Sequence, residues 1–209
     1  MLRIWGRLSS INVRKVVWTA QELGLEVQRT DAGGHFGIVR EDEYLAMNPN
    51  GLVPVVEDEG YVLWESNVIV RYLAARHGPA LPEPLYPEDL RSRFNAERWM
   101  DWQQTTLNPA GRDAFLQLVR TPPEQRQAEA IERSVAATEP LLALLDAQLA
   151  LTPYLAGAQF TMADIPVACE IHRWFSLPRE RASLPHLERW FHGLQARAGA
   201  RGVLDLLLS

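Results

Sequence analysis

Cysteine and lysine are almost missing from this sequence. The lone cysteine, Cys169, has no second thiol with which to close an internal disulfide, and that fits a reducing compartment. Lys15 is the only lysine, and this bias reads as coding composition rather than mechanism. No basic stripe is visible either. The net charge is −5 with acids and bases interspersed, which argues against a nucleic acid as partner. Long apolar runs are lacking: Pro140–Leu145 and Val203–Leu208 fall far short of the about 20 residues needed to cross a bilayer. The opening Met1-Leu-Arg-Ile-Trp-Gly alternates as a strand does and meets charge too early for a secretory leader. The expectation is a cytoplasmic protein with no membrane and no nucleic-acid partner. Internal repeats and low-complexity tracts are also absent.

What is present is an ordinary globular balance. The chain has 209 residues, 47% hydrophobic and 22% charged, enough for one large domain or two modest ones sharing an interface. The first part alternates strand and helix signals. Leu2–Trp5 reads as a strand, followed by the loop Gly6–Asn12. Val13, Val16, Val17, Ala20 and Leu23 then recur at helical spacing before a stop at Gly24. Val27–Thr30 reads as a second strand, Asp31–Ile38 as a glycine-containing loop, and Asp42–Met47 as a short helix. Val53–Glu57 and Tyr61–Leu63 flank Asp58-Glu59-Gly60, a hairpin signal, and Glu65–His77 is amphipathic. The order is βαβ, helix, hairpin, helix, which predicts one parallel crossover and one antiparallel hairpin in a small mixed sheet.

Prolines 79, 82, 84 and 87 then crowd a short stretch, the best linker candidate in the chain. The expected division is a first domain over residues 1–79, a linker over 80–87 and a second domain over 88–209. Beyond the linker no convincing strand recurs. Glu88–Leu118, Pro123–Leu151, Met162–Phe175 and Pro185–Arg197 carry helical periodicity, with Pro109 ending or kinking the first. The fold class is therefore α/β followed by all-α.

Four segments, in order and in register on that layout, resemble the cytosolic glutathione transferase family. They are Ser9-Ser10-Ile11-Asn12-Val13-Arg14-Lys15-Val16, Asn48-Pro49-Asn50-Gly51-Leu52-Val53-Pro54, Trp64-Glu65-Ser66-Asn67-Val68-Ile69 and Phe160-Thr161-Met162-Ala163-Asp164. The likeness covers essentially the whole chain. It implies a thioredoxin-like N-terminal domain (βαβαββα) that holds glutathione as co-substrate, a helical domain that holds a small hydrophobic electrophile, and a homodimer. No metal is expected.

The chemistry of the residues agrees segment by segment. A proline opening a strand sacrifices no interior ladder bond. In thioredoxin-like folds the proline matching Pro54 is cis, and a cis bond turns the preceding backbone outward. Val53 would then pair with an extended peptide as an added strand. The bland alternative is an edge proline that shapes a turn. Glu65-Ser66 stands where a strand passes into a helix, and the free N–H groups of a helix start attract a carboxylate. The resemblance assigns them the γ-glutamyl α-carboxylate, with Ser66 assisting; alternatively Ser66 caps its own helix.

Glutathione chemistry needs a thiolate near neutral pH, and a free thiol with a pKa of about 8.5 is mostly protonated there. A hydroxyl donor and the positive end of a helix favour the charged form. Ser9, Ser10 and Asn12 stand just before the first helix. Alignment to serine-type members, which carry Ser-x-Pro-Cys-Arg, places Ser10 on the catalytic serine and Arg14 on a structural arginine. Asn12 replaces the usual proline. With Leu107-Asn108-Pro109-Ala110-Gly111 this resembles the bacterial nu-class branch, whose Thr/Asn pair serves disulfide reduction and corresponds to Ser10/Asn12. The beta-class cysteine is absent, so a covalent mixed disulfide at this loop is not expected. Ser10 and Asn12 are the catalytic candidates, Ser9 a substitute donor if the loop is shifted, and N-capping the structural alternative.

Leu52 stands where many relatives carry a cation for the glycine carboxylate, and neither His35 nor Arg40 is assigned that role. Thr161 and Asp164 form a capping-box pattern, a folding element. Cys169 is read as a buried apolar residue. Trp99, Trp102, Phe115 and Trp174 are candidates for an apolar electrophile pocket, against the alternative that they are core. The function expected is thiolate attack on small apolar electrophiles. The alternatives are glutathione-dependent reduction of a disulfide or peroxide, and a non-catalytic ligand-binding module of the same fold.

Overall fold

The computed structural model describes residues 1–78 and 82–208. Four short strands form one sheet: β1 (Leu2–Trp5), β2 (Val27–Thr30), β3 (Val55–Asp58) and β4 (Tyr61–Trp64). Their order is β2-β1-β3-β4. β1 runs parallel to β2 and antiparallel to β3, and β4 pairs antiparallel with β3. Helix α1 (Ile11–Glu22) makes the parallel crossover, α2 (Asp42–Met47) precedes the hairpin and α3 (Ser66–His77) follows it. The alternation in β1 decides the layering. Leu2 and Ile4 point to the face where Val16 and Ala20 of α1 and Ile69 and Leu73 of α3 close a buried cluster. Trp5, Val55 and Val62 lie on the other face with Tyr44 of α2. The sheet is thus covered on both sides, as its apolar strands require.

The hairpin turns tighter than the sequence reading placed it. Asp58 pairs with Tyr61, which leaves Glu59-Gly60 as a two-residue turn. Both have positive φ, 51° and 86°, the geometry of a type I′ turn, which Gly60 takes without a Cβ penalty. The ladder begins at Val55, so Val53 and Pro54 lie outside it, joined by a cis peptide bond.

The remainder is helical. Helices α4 (Leu90–Trp102) and α5 (Asn108–Phe115) belong to one long path whose turns widen over Gln103–Leu107 and again over Leu116–Arg120. Pro109 was expected to end or kink this path. Instead the wide turn immediately before it accommodates the missing N–H and the ring, and the helix runs on. The next helix, α6 (Ala128–Leu151), starts later than the Pro123 boundary the periodicity suggested. Pro122 and Pro123 hold a short helical turn over Pro123–Gln125 that cannot join the α6 ladder. α7 (Asp164–Phe175) and α8 (Pro185–Gln195) complete the domain. Of the expected linker 80–87, residues 80 and 81 lie outside the described residues.

α6 is long and apolar enough, by length and composition alone, to span a bilayer. Its buried stripe Ala130, Ser134, Thr138, Leu142, Leu145 and Leu149 faces α5 and α8, and Glu132, Glu139 and Asp146 punctuate it. That is the pattern of a helix on a protein core.

The two halves share one apolar cluster, in which Trp18, Val70 and Ala74 of the first half join Trp99, Met100, Ile165 and Trp174 of the second. A bidentate pair from Arg197 to Glu22, at 2.8 Å for both bonds, clamps the seam. A Cβ on Gly199 would stand 2.6 Å from the Glu22 carboxylate, so only glycine lets the chain approach this closely.

Thr161 and Asp164 form the expected box and more. Asp164 accepts from the Thr161 amide at 3.0 Å, the Leu155 amide at 3.1 Å and the Trp190 indole at 2.9 Å, while the Ala163 amide donates to the Thr161 hydroxyl. Burial pushes the Asp164 carboxyl up to about 6, against these bonds, which favour its charged form. Replacing Asp164 by Ala leaves three buried donors unpaired, and we expect a loss of about 3 kcal/mol and a Tm lower by about 6–12 °C. A thermal unfolding curve within about 2 °C of wild type would show that the box carries little stability.

Candidate active site

The site is built at the start of α1. Ser10 occupies the residue just before the helix with an extended backbone (φ −87°, ψ 121°), and its side chain makes no capping bond. Asn12 lies inside the first turn, so neither residue is consumed in capping. No acidic side chain stands in that turn, which leaves the positive end of α1 uncompensated by its own residues. Asn12 Oδ1 is buried and has no hydrogen-bond partner in the protein. A buried acceptor left bare costs free energy unless a ligand meets it.

Two concavities meet at Asn12. The smaller, about 50 Å³, is lined by Asn12, Asn48, Leu52, Val53, Pro54, Glu65 and Ser66. The larger, about 210 Å³, lies between the halves and takes in Ser9, Ser10 and Asn12 from the first and Phe115, Leu116 and several arginines of the second. The structure therefore brings all six sequence candidates, Ser10, Asn12, Val53, Pro54, Glu65 and Ser66, to these two adjoining spaces. Only Asn12 borders both.

The wall carrying Val53 is braced from behind. The Tyr44 hydroxyl and the Asn48 side-chain amide both donate to the Leu52 carbonyl at 2.8 Å, and Asn48 Oδ1 accepts from the Asn50 amide at 3.1 Å. This is an Asx turn, the local signal carried by Asn48-Pro49-Asn50 in the sequence, and Asn48 is the positioning residue that the sequence reading did not single out. Leu52 itself is 63% exposed. At the opposite wall Glu65 has φ 73° and ψ 106°, a left-handed backbone that a non-glycine residue adopts at a cost of about 1–3 kcal/mol. It delivers Ser66, buried, to the first turn of α3, again without an acidic residue in that turn. Ser66 is inside the helix and Glu65 precedes it, so the simple capping role does not apply.

Arg14 is structural, as the motif suggested. Its guanidinium donates to the Leu8 carbonyl at 2.7 Å, to the Leu207 carbonyl at 3.0 Å and to His172 Nδ1 at 3.0 Å. It thereby ties the loop before α1 to α7 and to the C-terminal segment. Because arginine only donates, Nδ1 of His172 is the unprotonated nitrogen. Lys15, read from sequence as a compositional accident, is fully buried at the seam. Its ammonium donates to Gln103 Oε1 at 2.9 Å, Gln104 Oε1 at 3.1 Å and Asn67 Oδ1 at 3.2 Å, and burial lowers its pKa to about 8.

Of the four aromatic candidates, Phe115 borders the larger cavity, with Arg120 and Arg173 over its ring at 4.8 and 5.0 Å. Trp99, Trp102 and Trp174 do not border it. Trp99 and Trp174 are buried in the core, and Trp102 packs edge-on against Trp99 at 5.4 Å. Cys169 reaches the cavity, but burial pushes its thiol up to about 12, so it stays protonated and unreactive near neutral pH. A nucleophilic sulfur at this site has to arrive with a ligand.

Residues 1–75 match the family described as glutathione S-transferase, N-terminal domain, and residues 107–198 match its C-terminal domain. The chain is 42% identical to glutathione S-transferase GstB of Escherichia coli over the full length of both proteins. A crystal structure of the theta class glutathione S-transferase from Xanthomonas axonopodis pv. citri with glutathione bound superposes with a TM-score of 0.94 and 43% identity, covering 100% of this chain and 99% of that one. Glutathione S-transferase 4 of Zea mays is 27% identical, over 99% of this chain and 93% of its own.

The contact between Arg14 and His172 sets a pH limit on the site. Burial first, then the Arg14 charge, lowers the His172 pKa from 6.5 to about 4. The unfolded chain takes up a proton on this ring below about 6.5, whereas the folded chain resists it until about 4. Stability from neutral His172 is therefore complete above about 6.5 and is lost as pH falls towards 4, by about 3 kcal/mol in all. In His172→Asn, whose side-chain oxygen can still accept from Arg14, the loss between pH about 7 and about 5 should shrink by about 1–2 kcal/mol. Urea unfolding at both pH values measures it, and an equal acid loss in variant and wild type would remove His172 as the source.

Proposed function

The chain belongs to the glutathione S-transferase family, and from that premise we propose that the start of α1 holds the sulfur of glutathione through Ser10 and Asn12. The protein is a glutathione transferase that uses glutathione as co-substrate. One observation carries the residue assignment: Asn12 is the residue common to both concavities. The smaller space suits the peptide. Val53, outside the sheet ladder, offers its backbone to the ligand as an added strand. The amide groups that open α3 at Glu65 and Ser66 meet the γ-glutamyl carboxylate. The larger space holds the electrophile.

In this arrangement the Ser10 hydroxyl donates to the sulfur, the Asn12 amide orients it, and the end of α1 favours its negative charge. The thiol proton leaves to solvent. The sulfur electron pair forms the new bond to carbon as the leaving group departs with the old one. Because the Cys169 thiol is held at about 12, it does not compete as nucleophile.

We expect Ser10→Ala and Asn12→Ala each to raise the apparent thiol pKa of bound glutathione by about one unit and to lower kcat/KM at neutral pH about tenfold or more. Thiolate absorbance against pH in the binary complex reads the first quantity directly. An unmoved pKa in both variants would remove this loop from catalysis. A disulfide substrate assayed in parallel separates conjugation from reduction, and retention on immobilised glutathione without any turnover would favour the non-catalytic module.

The same reading extends to assembly. Tyr61 and Trp64 on the edge strand β4, Val68 on α3, and Leu90 and Phe94 on α4 are large apolar residues left exposed. Arg71 joins α3 to Glu97 and Asp101 of α4, so Val68 and Phe94 stand one turn ahead on neighbouring helices. A patch spread over three adjoining elements is what a partner covers, and we assign it to a homodimer. The domain division at residues 80–87 is supported by the two family matches falling on either side. A cytoplasmic location is in keeping with the single buried thiol. Phe94→Glu should shift the protein to monomer at micromolar concentration in sedimentation; a wild-type mass in that variant would move the interface elsewhere.

A further inference from the structure

The larger cavity differs from the apolar pocket that the sequence led us to expect. Five arginines border it, Arg7, Arg14, Arg112, Arg120 and Arg173, and among the described residues no carboxylate does. This concentration occurs in a chain whose net charge is −5. Three of the five are already engaged, Arg120 over the Phe115 ring among them. Arg14 is spent on the Leu8 and Leu207 carbonyls and His172, and Arg173 is paired with Glu170 and donates to Asn108 at 3.0 Å. Arg7 and Arg112 form no ion pair among the described residues. Arg7 comes from the loop after β1, Arg112 from α5 and Arg120 from the wide turn that ends the helical path. Three separate elements, drawn from both halves, therefore converge on one space.

Like charges so placed repel one another. The Arg120 guanidinium is held below its ordinary value, first by burial and then by the charges of Arg7 and Arg173. A bound anion relieves that repulsion. Guanidinium groups approaching from several directions suit a carboxylate or sulfonate, which accepts charge-assisted bonds through two or more oxygens. The rest of the cavity is apolar, with Ile11, Phe115, Leu116 and Leu208 beside Ser10 and Asn12.

We propose that the second substrate is an acidic electrophile, a compact apolar or aromatic body bearing a carboxylate or sulfonate that Arg7 and Arg112 bind, with the reactive carbon facing Ser10 and Asn12. This rests on the assignment of the larger cavity to the electrophile and narrows the small apolar electrophile expected from sequence to one that carries an acidic group. The reaction balances as before: glutathione thiolate forms the carbon–sulfur bond, halide leaves with its electron pair, and the acidic group passes unchanged into the conjugate.

The test uses chloronitrobenzoate, with chlorine ortho to the nitro group and para to the carboxylate, and the matching chloronitrobenzamide. The two have nearly the same shape and differ in charge. After division by the uncatalysed rates, we expect kcat/KM to favour the acid by about tenfold or more, through KM rather than kcat. Arg112→Gln and Arg7→Gln should each bring that ratio towards one, and Arg112→Lys should restore part of it. Equal use of acid and amide by the wild type would overturn the acidic substrate while leaving the glutathione transferase reading intact. An unchanged ratio in both Gln variants, or a rise in KM for glutathione instead, would overturn it as well. If neither probe is turned over, calorimetric binding of the two synthesised conjugates decides. Tighter binding of the acid supports the proposal, equal binding ends it, and no binding of either conjugate brings down the site assignment with it.

Discussion

A lysine ammonium cannot lie in a protein interior without oxygens around it, because its lost hydration costs several kcal/mol. Lys15 meets that demand at the seam between the two halves, with oxygens from α3 and from the wide turn after α4. Two of the three providers are themselves held. Asn67 donates to the Met100 carbonyl at 2.8 Å, and Gln103 donates to Glu170, which pairs with Arg173, which donates to Asn108. A single polar chain thus runs from the helix that follows Ser10 to the wall of the larger cavity. Its satisfaction fixes the position of α1 relative to α5 and α7, and with it the distance between the sulfur site and the arginines. Apolar packing alone would tolerate sliding at this seam; directional bonds to a buried charge resist it.

Much of the first half was legible because its signals are local. Leu2–Trp5, Val27–Thr30 and Asp42–Met47 have the bounds that alternation and punctuation give, and Val53-Pro54 and Glu65-Ser66 stand where turn chemistry puts them. The helical half was legible in number and spacing but not in facing. Phe115 and the three tryptophans all recur at helical intervals, yet only Phe115 turns to the cavity. The structure shows why: Asn108, Arg112 and Phe115 form one stripe of α5, continued by Leu116, and the wide turn before Pro109 sets the angle of that stripe. A widened turn adds a residue to a repeat that periodicity assumes constant, so facing beyond it cannot be extrapolated from the helix before it. Lys15 was missed for a related reason. A charge on a helix reads as solvent-exposed until a second domain is known to cover that face.

The departures from an energetic optimum gather in one place. Glu65 holds a left-handed backbone, and Asn12 Oδ1 is buried without a partner. Elsewhere the structure satisfies comparable groups with care, as at Asp164, Lys15 and Arg14. Local rules broken together around two adjoining cavities, inside a fold that otherwise keeps them, mark the place where a ligand completes the structure.

Charge then acts on both substrates. Five arginines border the cavity of a chain whose net charge is −5, so the charge at this space runs against the balance of the whole. Glutathione carries two carboxylates, and the thiolate adds a further negative charge at the reacting atom. The arginines that bind an acidic electrophile therefore also favour the anionic sulfur beside it, over and above what the Ser10 hydroxyl supplies. The two effects cannot be assigned to separate residues, because a guanidinium near both ligands lowers the energy of each. Removing one arginine would weaken acid binding and raise the thiol pKa together, with the proportion set by its distance from the sulfur. Arg112 on α5 and Arg7 beside the α1 loop occupy opposite walls of that space, and the split between binding and activation follows from where each one stands.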